Sequence, residues 1–388
     1  MSIQEELARD YRDAARKRET NRLEEHWNQL LAEKKIKPRD FSLGLLFEET
    51  VEGGRDILDQ WRRNPGDRMS LQEAGVTTAA FSRINKQIIS TEVMASYEAA
   101  QWIGDSLVTT KNADSLYGMR EPGVANLGNQ VEAVGEGKPY PYAGFGEDFV
   151  QTPDLTKTGL IVAVTKEALA TDKTGLILDR AAQVGESLGE DKEDRILNVV
   201  AGIISTYNRK NRGVVATYGD NSGSHDWDNL AASNALADWT DVEAAQLLFD
   251  AMTDPNTGIP LANMGGQQLL VATGLVMTGN RIINATEIEH VDNQANASTI
   301  RTRSTNPLTG YSVMSTPRLS TIQGNQTTWY LGNFKKAFTY YQWWGITTSQ
   351  QGAGSEAEFT RDIVAQYKAS ECGVAAASEP RHVVKCTQ

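Results

Sequence analysis

The sequence predicts an α+β fold, and three observations carry that reading. Residues 159–165, Gly-Leu-Ile-Val-Ala-Val-Thr, form a short apolar run rich in β-branched side chains, the pattern of a strand buried on both faces. Beyond the break at Thr171-Asp172-Lys173-Thr174, Ile177, Ala181, Val184 and Leu188 recur at helical spacing, and Ile196, Val199, Val200 and Ile203 resume that stripe. One helix covers all of it: about thirty residues rising 1.5 Å each span roughly 45 Å, longer than the usual three or four turns. Ahead of the strand, residues 117–154 shift to Gly, Pro, Glu, Asn and Tyr, and a structureless stretch of that length is a working loop, not part of a compact core.

Taken in order, residues 3–35 are dense in Glu, Lys and Arg, while Leu7, Tyr11, Ala14, Leu23, Trp27, Leu30 and Leu31 give partial helical spacing. That predicts an exposed or coiled-coil helix. A second helical piece covers residues 47–61 and is stopped by Asn64-Pro65-Gly66-Asp67. Residues 69–107 carry Val76, Phe81, Ile84, Ile88, Ile89, Val93 and Met94, then Tyr97 and Trp102. The polar arm that follows contains Gly135-Glu136-Gly137-Lys138-Pro139 and leads into the strand at 159–165. In the middle of the long helix, Glu190-Asp191-Lys192-Glu193-Asp194-Arg195 has no apolar residue, so this turn is expected to face solvent or a neighbouring subunit.

After the helix, Arg209-Lys210-Asn211-Arg212-Gly213 reads as a turn and residues 218–228 as a polar loop. Thr240-Asp241-Val242-Glu243 has the form of a capping box opening a helix whose apolar face is Val242, Ala245, Leu248, Phe249 and Met252. A buried strand at 269–272 and a helix at 276–283 follow, then a polar flexible loop at 287–308 and strands at 311–314, 328–331 and 338–343. The chain ends in two further strands, one through residues 359–368 and one through 379–385, read as a pair.

With 388 residues and 40% hydrophobic content, the chain is long enough for two or three domains and a sizeable core. Its apolar runs fall far short of the about twenty residues that span a bilayer, and the N-terminus lacks a basic segment followed by an apolar one, so a soluble protein used in a cytoplasm is expected. A formal charge of -12 argues against gripping nucleic acid through clustered cations, though it permits enclosing it. Cys372 and Cys386 lack CxxC spacing and are expected to be free buried thiols.

The search for chemistry assigns no catalytic, cofactor or metal site. The glycines around Lys138 are followed by Pro139, which breaks the phosphate-loop pattern. His26, His225, His290 and His382 form no metal-ligand spacing and read as solvated surface residues. The loop at 220–226 alternates oxygen-bearing residues but lacks the glycine and the bidentate glutamate of a calcium loop; it reads as a turn. Tyr340, Tyr341, Trp343 and Trp344 have no interleaved basic residues and are assigned to core or subunit packing.

The order of these features resembles the major capsid proteins of tailed bacteriophages, with their Hong Kong 97-like fold: the Glu136-Gly137-Lys138-Pro139 arm, the strand ending Val164-Thr165-Lys166-Glu167-Ala168, and the long helix through Lys192-Glu193-Asp194-Arg195-Ile196-Leu197. The resemblance covers roughly residues 75–388 and rests on the order of elements. It implies a helical N-terminal extension at 1–72, a possible delta scaffolding domain removed by a prohead protease or else retained. It further implies an N-arm at 73–118, an extended E-loop at 119–158, a P domain with its spine helix at 159–238, an A domain at 239–344 and a return to the P domain at 345–388. The implied function is structural, not enzymatic: self-assembly into pentamers and hexamers that form an icosahedral shell around double-stranded DNA without sequence-specific binding. Implied partners are further copies of the chain, with portal, scaffold or protease during assembly and no membrane; the location is the virion, assembled in the host cytoplasm. Candidate inter-subunit residues are Glu136, Gly137, Lys138, Pro139, Glu190, Glu193 and Arg195, with Lys138 placed as a crosslinking lysine of the family would be. The alternatives are an encapsulin-type compartment and an unrecognised soluble α+β enzyme.

Overall fold

The stripe that begins at Ile177 is realised as one 27-residue α-helix, Thr174–Val200. The computed structural model describes residues 3–17, 19–51, 53–63, 79–100, 102–122, 134–136, 149–171, 173–221, 225, 227–253, 258, 260–261, 267–293, 299–308, 310–351 and 360–388. The chain divides into two units: Met1–Gln101, Lys157–Asp191 and Trp344–Cys372 form the first, and Trp102–Thr156, Lys192–Trp343 and Gly373–Gln388 the second. Among the described residues, no helix is long and apolar enough to cross a membrane.

In the first unit, the N-terminal segment is not the exposed helix its charge suggests. It forms helices Ile3–Lys17 and Thr20–Ala32, whose Leu7, Tyr11, Trp27 and Leu31 are buried in one core with Ile88, Ile89, Val93, Leu169 and Leu178. Charged side chains occupy the other face, so charge density along the sequence concealed an amphipathic pair. The expected helix at 47–61 is two helices, Leu43–Thr50 and Gly54–Arg63. Ser42 caps the first by accepting from the Leu45 amide at 3.2 Å, and Gly53, at φ +71°, turns the chain between them. Residues 79–99 form a helix whose Ile84, Ile88, Ile89 and Val93 are buried in this same core. That helix meets the long one at Gly185, where an added Cβ would lie 2.3 Å from the Val93 carbonyl oxygen, and the Ser96 hydroxyl donates to the Ala182 carbonyl at 2.8 Å.

The strand expected at 159–165 spans Thr156–Thr165, but it is not buried on both faces. Val162 and Val164 face the core, whereas Leu160 and Ile161 are 45% and 59% exposed, because only the second half of this edge strand is covered by the core. Thr165 ends it by capping the short helix Lys166–Ala170.

In the second unit, a five-stranded sheet has the order Leu230–Ala231, Val383–Cys386, Trp329–Gly332, Gln268–Val271, Ser312–Ser315. The central strand Trp329–Gly332 runs antiparallel to both neighbours, with Trp329, Tyr330 and Leu331 fully buried. The C-terminal strands therefore do not pair with each other as expected: Val383–Cys386 belongs to this sheet and Ile363–Ala377 to another. Both cysteines are free and buried.

Helix Trp239–Asp250 presents Val242, Ala245 and Phe249 to the core, as its spacing predicts. Its cap is Asp238 rather than Thr240: the Asp238 carboxylate accepts from the Thr240 amide, and the Asp241 carboxylate accepts from the Asp238 amide at 2.9 Å. The long helix stops at Val200, one turn short of the predicted stripe, because Gly202 adopts φ +72° against the Tyr218 ring and Ile203 is left exposed. The turn at 209–213 forms, with Lys210 and Asn211 both left-handed. The loop expected at 287–308 is instead a two-stranded antiparallel hairpin, Glu287–Asn293 with Thr299–Thr305. A further short ladder pairs Arg120–Pro122 with Phe149–Gln151 at the base of the polar arm.

Candidate functional site

The charged turn of the long helix is where sequence and structure differ most. Four consecutive residues of the second unit, Lys192 to Arg195, point charges that a helical turn spreads in all directions, and each finds a partner within the unit. Glu193 is 2% exposed, and its Oε2 accepts from the Gly104 amide at 2.6 Å. This contact exists because residue 104 is glycine: a Cβ there would lie 2.5 Å from the same oxygen. Lys192 pairs with Asp105 at 2.6 Å and lies 5.0 Å from the centre of the buried Tyr340 ring. Arg318 grips Asp194 through two parallel bonds of 2.7 Å, and Arg195 donates to the Gly373 carbonyl at 3.0 Å.

Burial pushes the Glu193 carboxyl above the ordinary carboxylate range, and the nearby Asp105 adds to this; the amides of Gly104 and Ile103, with Arg318, pull it back. The arrangement contains donors, acceptors and paired charges but no nucleophile beside a base. It fixes one turn of the helix to the short helix Gly104–Leu107, to helix Pro317–Gln323 and to the chain at Gly373.

The expectation that this whole turn faces solvent or another subunit is therefore corrected at Glu193 and Lys192, which are buried in their own chain. Arg195 is half-buried and bonded within the unit, and Glu190 is exposed. The partners lie 89, 124 and 178 positions away, so no local pattern announces them. On the arm, Gly135 and Glu136 are exposed, while Gly137, Lys138 and Pro139 lie outside the described residues.

A second buried polar centre went unnoticed in the sequence. Asn229, fully buried, donates from Nδ2 to the carbonyls of Thr217, Pro380 and Val383 at 3.0, 3.1 and 3.2 Å and accepts from the Gly219 amide at 2.9 Å. It ties the polar loop after the long helix to the C-terminal segment. The histidine of that segment, His382, is also not the solvated residue expected. It is buried, and desolvation, with Lys336 and Arg381 adding to it, lowers its pKa to about 4.

These polar centres hold segments of the second unit together. The family described as phage capsid protein matches residues 148–386, more than half of the sequence, and the chain belongs to that family. It is a shell-building protein. No curated protein matches the chain in sequence. Among solved structures it is similar to the capsid of cyanophage P-SCSP1u, at 12% identity and TM-score 0.42, with 72% of this chain and 86% of that one covered. A Gordonia phage Cozz structure is similar at 10% identity and TM-score 0.43, covering 74% and 86%. The SrpI encapsulin of Synechococcus elongatus PCC 7942 is similar at 10% identity and TM-score 0.40, covering 73% and 85%.

Proposed function

We propose that the chain is a major capsid protein that assembles into pentamers and hexamers and closes an icosahedral shell around double-stranded DNA. Family membership across residues 148–386 is the observation that carries this reading. Exposed apolar side chains support it: Leu160 and Ile161 in the first unit, and Ile203, Ile204 and Met277 in the second, are each at least 45% exposed. In this reading residues 119–158 are the E-loop, whose base ladder at Arg120–Pro122 and Phe149–Gln151 launches the arm toward a neighbouring copy. Residues 239–344 are the A domain, which meets its symmetry mates around the capsomer axis. The role is structural rather than enzymatic. Assembly takes place in the host cytoplasm, with portal, scaffold and prohead protease as partners, and the acidic chain encloses DNA without gripping it.

The test is to express the chain, image it by negative-stain electron microscopy and recover the contents of any shell. Capsomer rings, tubes or shells are expected, and shells from infected cells hold DNA. Monomers alone would overturn the proposal, and a protein cargo in place of DNA would convert it to a cellular compartment.

A further inference from the structure

The hairpin of the second unit raises a question its own chain does not answer. Strands Glu287–Asn293 and Thr299–Thr305 pair over seven positions, yet among the described residues neither has another sheet neighbour. An isolated two-stranded hairpin is marginal in water, and both outer edges present ladder groups to whatever adjoins them. Its base is nevertheless firmly placed. The Asn306 amide donates to the Thr286 carbonyl at 3.2 Å, and the Asn306 side chain donates to the carbonyls of Ile282 and Ile283 at 2.8 and 3.1 Å. A fixed base presents at a defined place a hairpin that, among the described residues, joins no larger sheet.

Its charges are segregated by strand. The first strand carries Glu287, Glu289 and Asp292 and no basic residue other than His290; the second carries Arg301 and Arg303 and no acid. Glu287, Glu289 and Arg303 are exposed. We propose that this hairpin is a contact between copies of the chain, in which the acidic strand of one copy lies beside the basic strand of the next, head to tail around a ring. This deepens the shell reading and rests on it.

The choice of partner follows from symmetry. A two-fold contact through either edge would set acidic strand on acidic strand or basic on basic, and like charges directly across strands repel. A rotational, head-to-tail contact sets acid beside base at every junction. It also continues the antiparallel alternation that the hairpin already has, since the second strand of one copy runs opposite to the first strand of the next. Strand-segregated charge thus favours a closed ring over a two-fold dimer and selects against the wrong register.

The test uses the full chain and two variants: Glu287→Lys with Glu289→Lys, and Arg301→Glu with Arg303→Glu. Melting temperature and near-ultraviolet circular dichroism of the unassembled subunits check that each variant folds. Each variant alone is expected to lose the rings and shells that the natural chain forms in sedimentation and electron microscopy, whereas an equimolar mixture regains rings. Those rings are six-membered and not five-membered, because alternation needs an even number of places. The mixture separates a contact between copies from an effect inside one hairpin, since positions 289 and 303, opposite each other in the ladder, carry like charges in both variants. Variants that assemble like the natural chain, or a mixture no better than either variant alone, would overturn the proposal. A natural chain that stays monomeric would overturn the shell reading itself, and this contact with it.

Discussion

Replacing Asn229 tests whether the second unit is held by polar accounting as well as by its sheet. The side-chain amide faces three carbonyl oxygens at 3.0–3.2 Å and its own oxygen takes the Gly219 amide at 2.9 Å, all in a fully buried site. Two N–H hydrogens serve three acceptors, so at least one is shared. Asn229→Ala removes these bonds, taking the acceptor from the Gly219 amide and a donor from three carbonyls, of which Pro380 keeps the Val383 amide; at about 1 kcal/mol per lost bond plus a desolvation penalty, the expected loss is about 3–4 kcal/mol. Asn229→Asp is the sharper probe. It has nearly the same shape and keeps the bond from Gly219, but it turns an oxygen toward three oxygens.

The buried aspartate is stabilised by protonation, which restores one donor and removes a buried charge, so its folded pKa is raised above its unfolded value. Its contribution is therefore least unfavourable below the unfolded value and worsens as pH rises from there toward the folded value. Urea unfolding of purified subunits followed by tryptophan fluorescence, with Trp227 two residues away, measures both variants at pH 5 and pH 7. The expected result is a larger deficit for Asn229→Asp at pH 7 than at pH 5. A variant within 1 kcal/mol of the natural chain at pH 7, or one that gains stability as pH rises, would refute the reasoning.

Gly185→Ala gains helix propensity but sets a Cβ 2.3 Å from a carbonyl oxygen that cannot rotate away, so a net loss of about 2 kcal/mol is expected in thermal or urea unfolding. Glu193→Gln keeps an acceptor for the Gly104 amide and removes the buried charge. Because the natural carboxyl is raised, its stabilising effect is present below the unfolded carboxyl pKa and is lost as pH rises through the folded value; the variant should be no less stable at pH 7 and show a flatter stability profile through the acid range. Removing residues 1–63 strips Trp27, Phe47, Leu58 and Trp61 from a core shared with Ile88 and Leu178, so the remaining chain should not give soluble folded subunits, and subunits from mature shells should show full-length mass. Leu160→Ser with Ile161→Ser should leave subunit melting nearly unchanged, since both side chains are exposed, while lowering the assembled fraction seen by sedimentation.

The α+β class and the phage capsid family were legible in the order of elements, and the buried strand at Leu269 to Val271 and the Val242, Ala245, Phe249 face were legible residue by residue. What these share is that one local period decides burial. The failures share the opposite cause. The apolar run at 159–165 reads as doubly buried, but the core packed against it, set by residues far away in sequence, covers only its second half and leaves Leu160 and Ile161 exposed. The N-terminal helices read as solvated because charge dominates their composition, although Leu7, Tyr11, Trp27 and Leu31 already marked the buried face. The hairpin at 287–305 has too few apolar residues for an alternation signal, so its pairing was invisible.

The usual sorting of side chains is reversed at two places in this chain, and the reversal separates what one copy does for itself from what it leaves to others. At Lys192 to Arg195 charge lies against the chain's own elements, and every partner is supplied from within: an amide bared by glycine, a carboxylate, a bidentate arginine and a carbonyl. Such a turn has little left to offer a neighbour, and Glu193 in particular is held away from one. At Leu160 and Ile161 about half of the apolar surface is left outside, where water disfavours it. Polar content alone would have put the subunit contact at the helix and the core at the strand. Burial and bonding put the internal brace at the helix, and leave the strand edge, with the hairpin at 287–305, as surfaces on which a shell can be built.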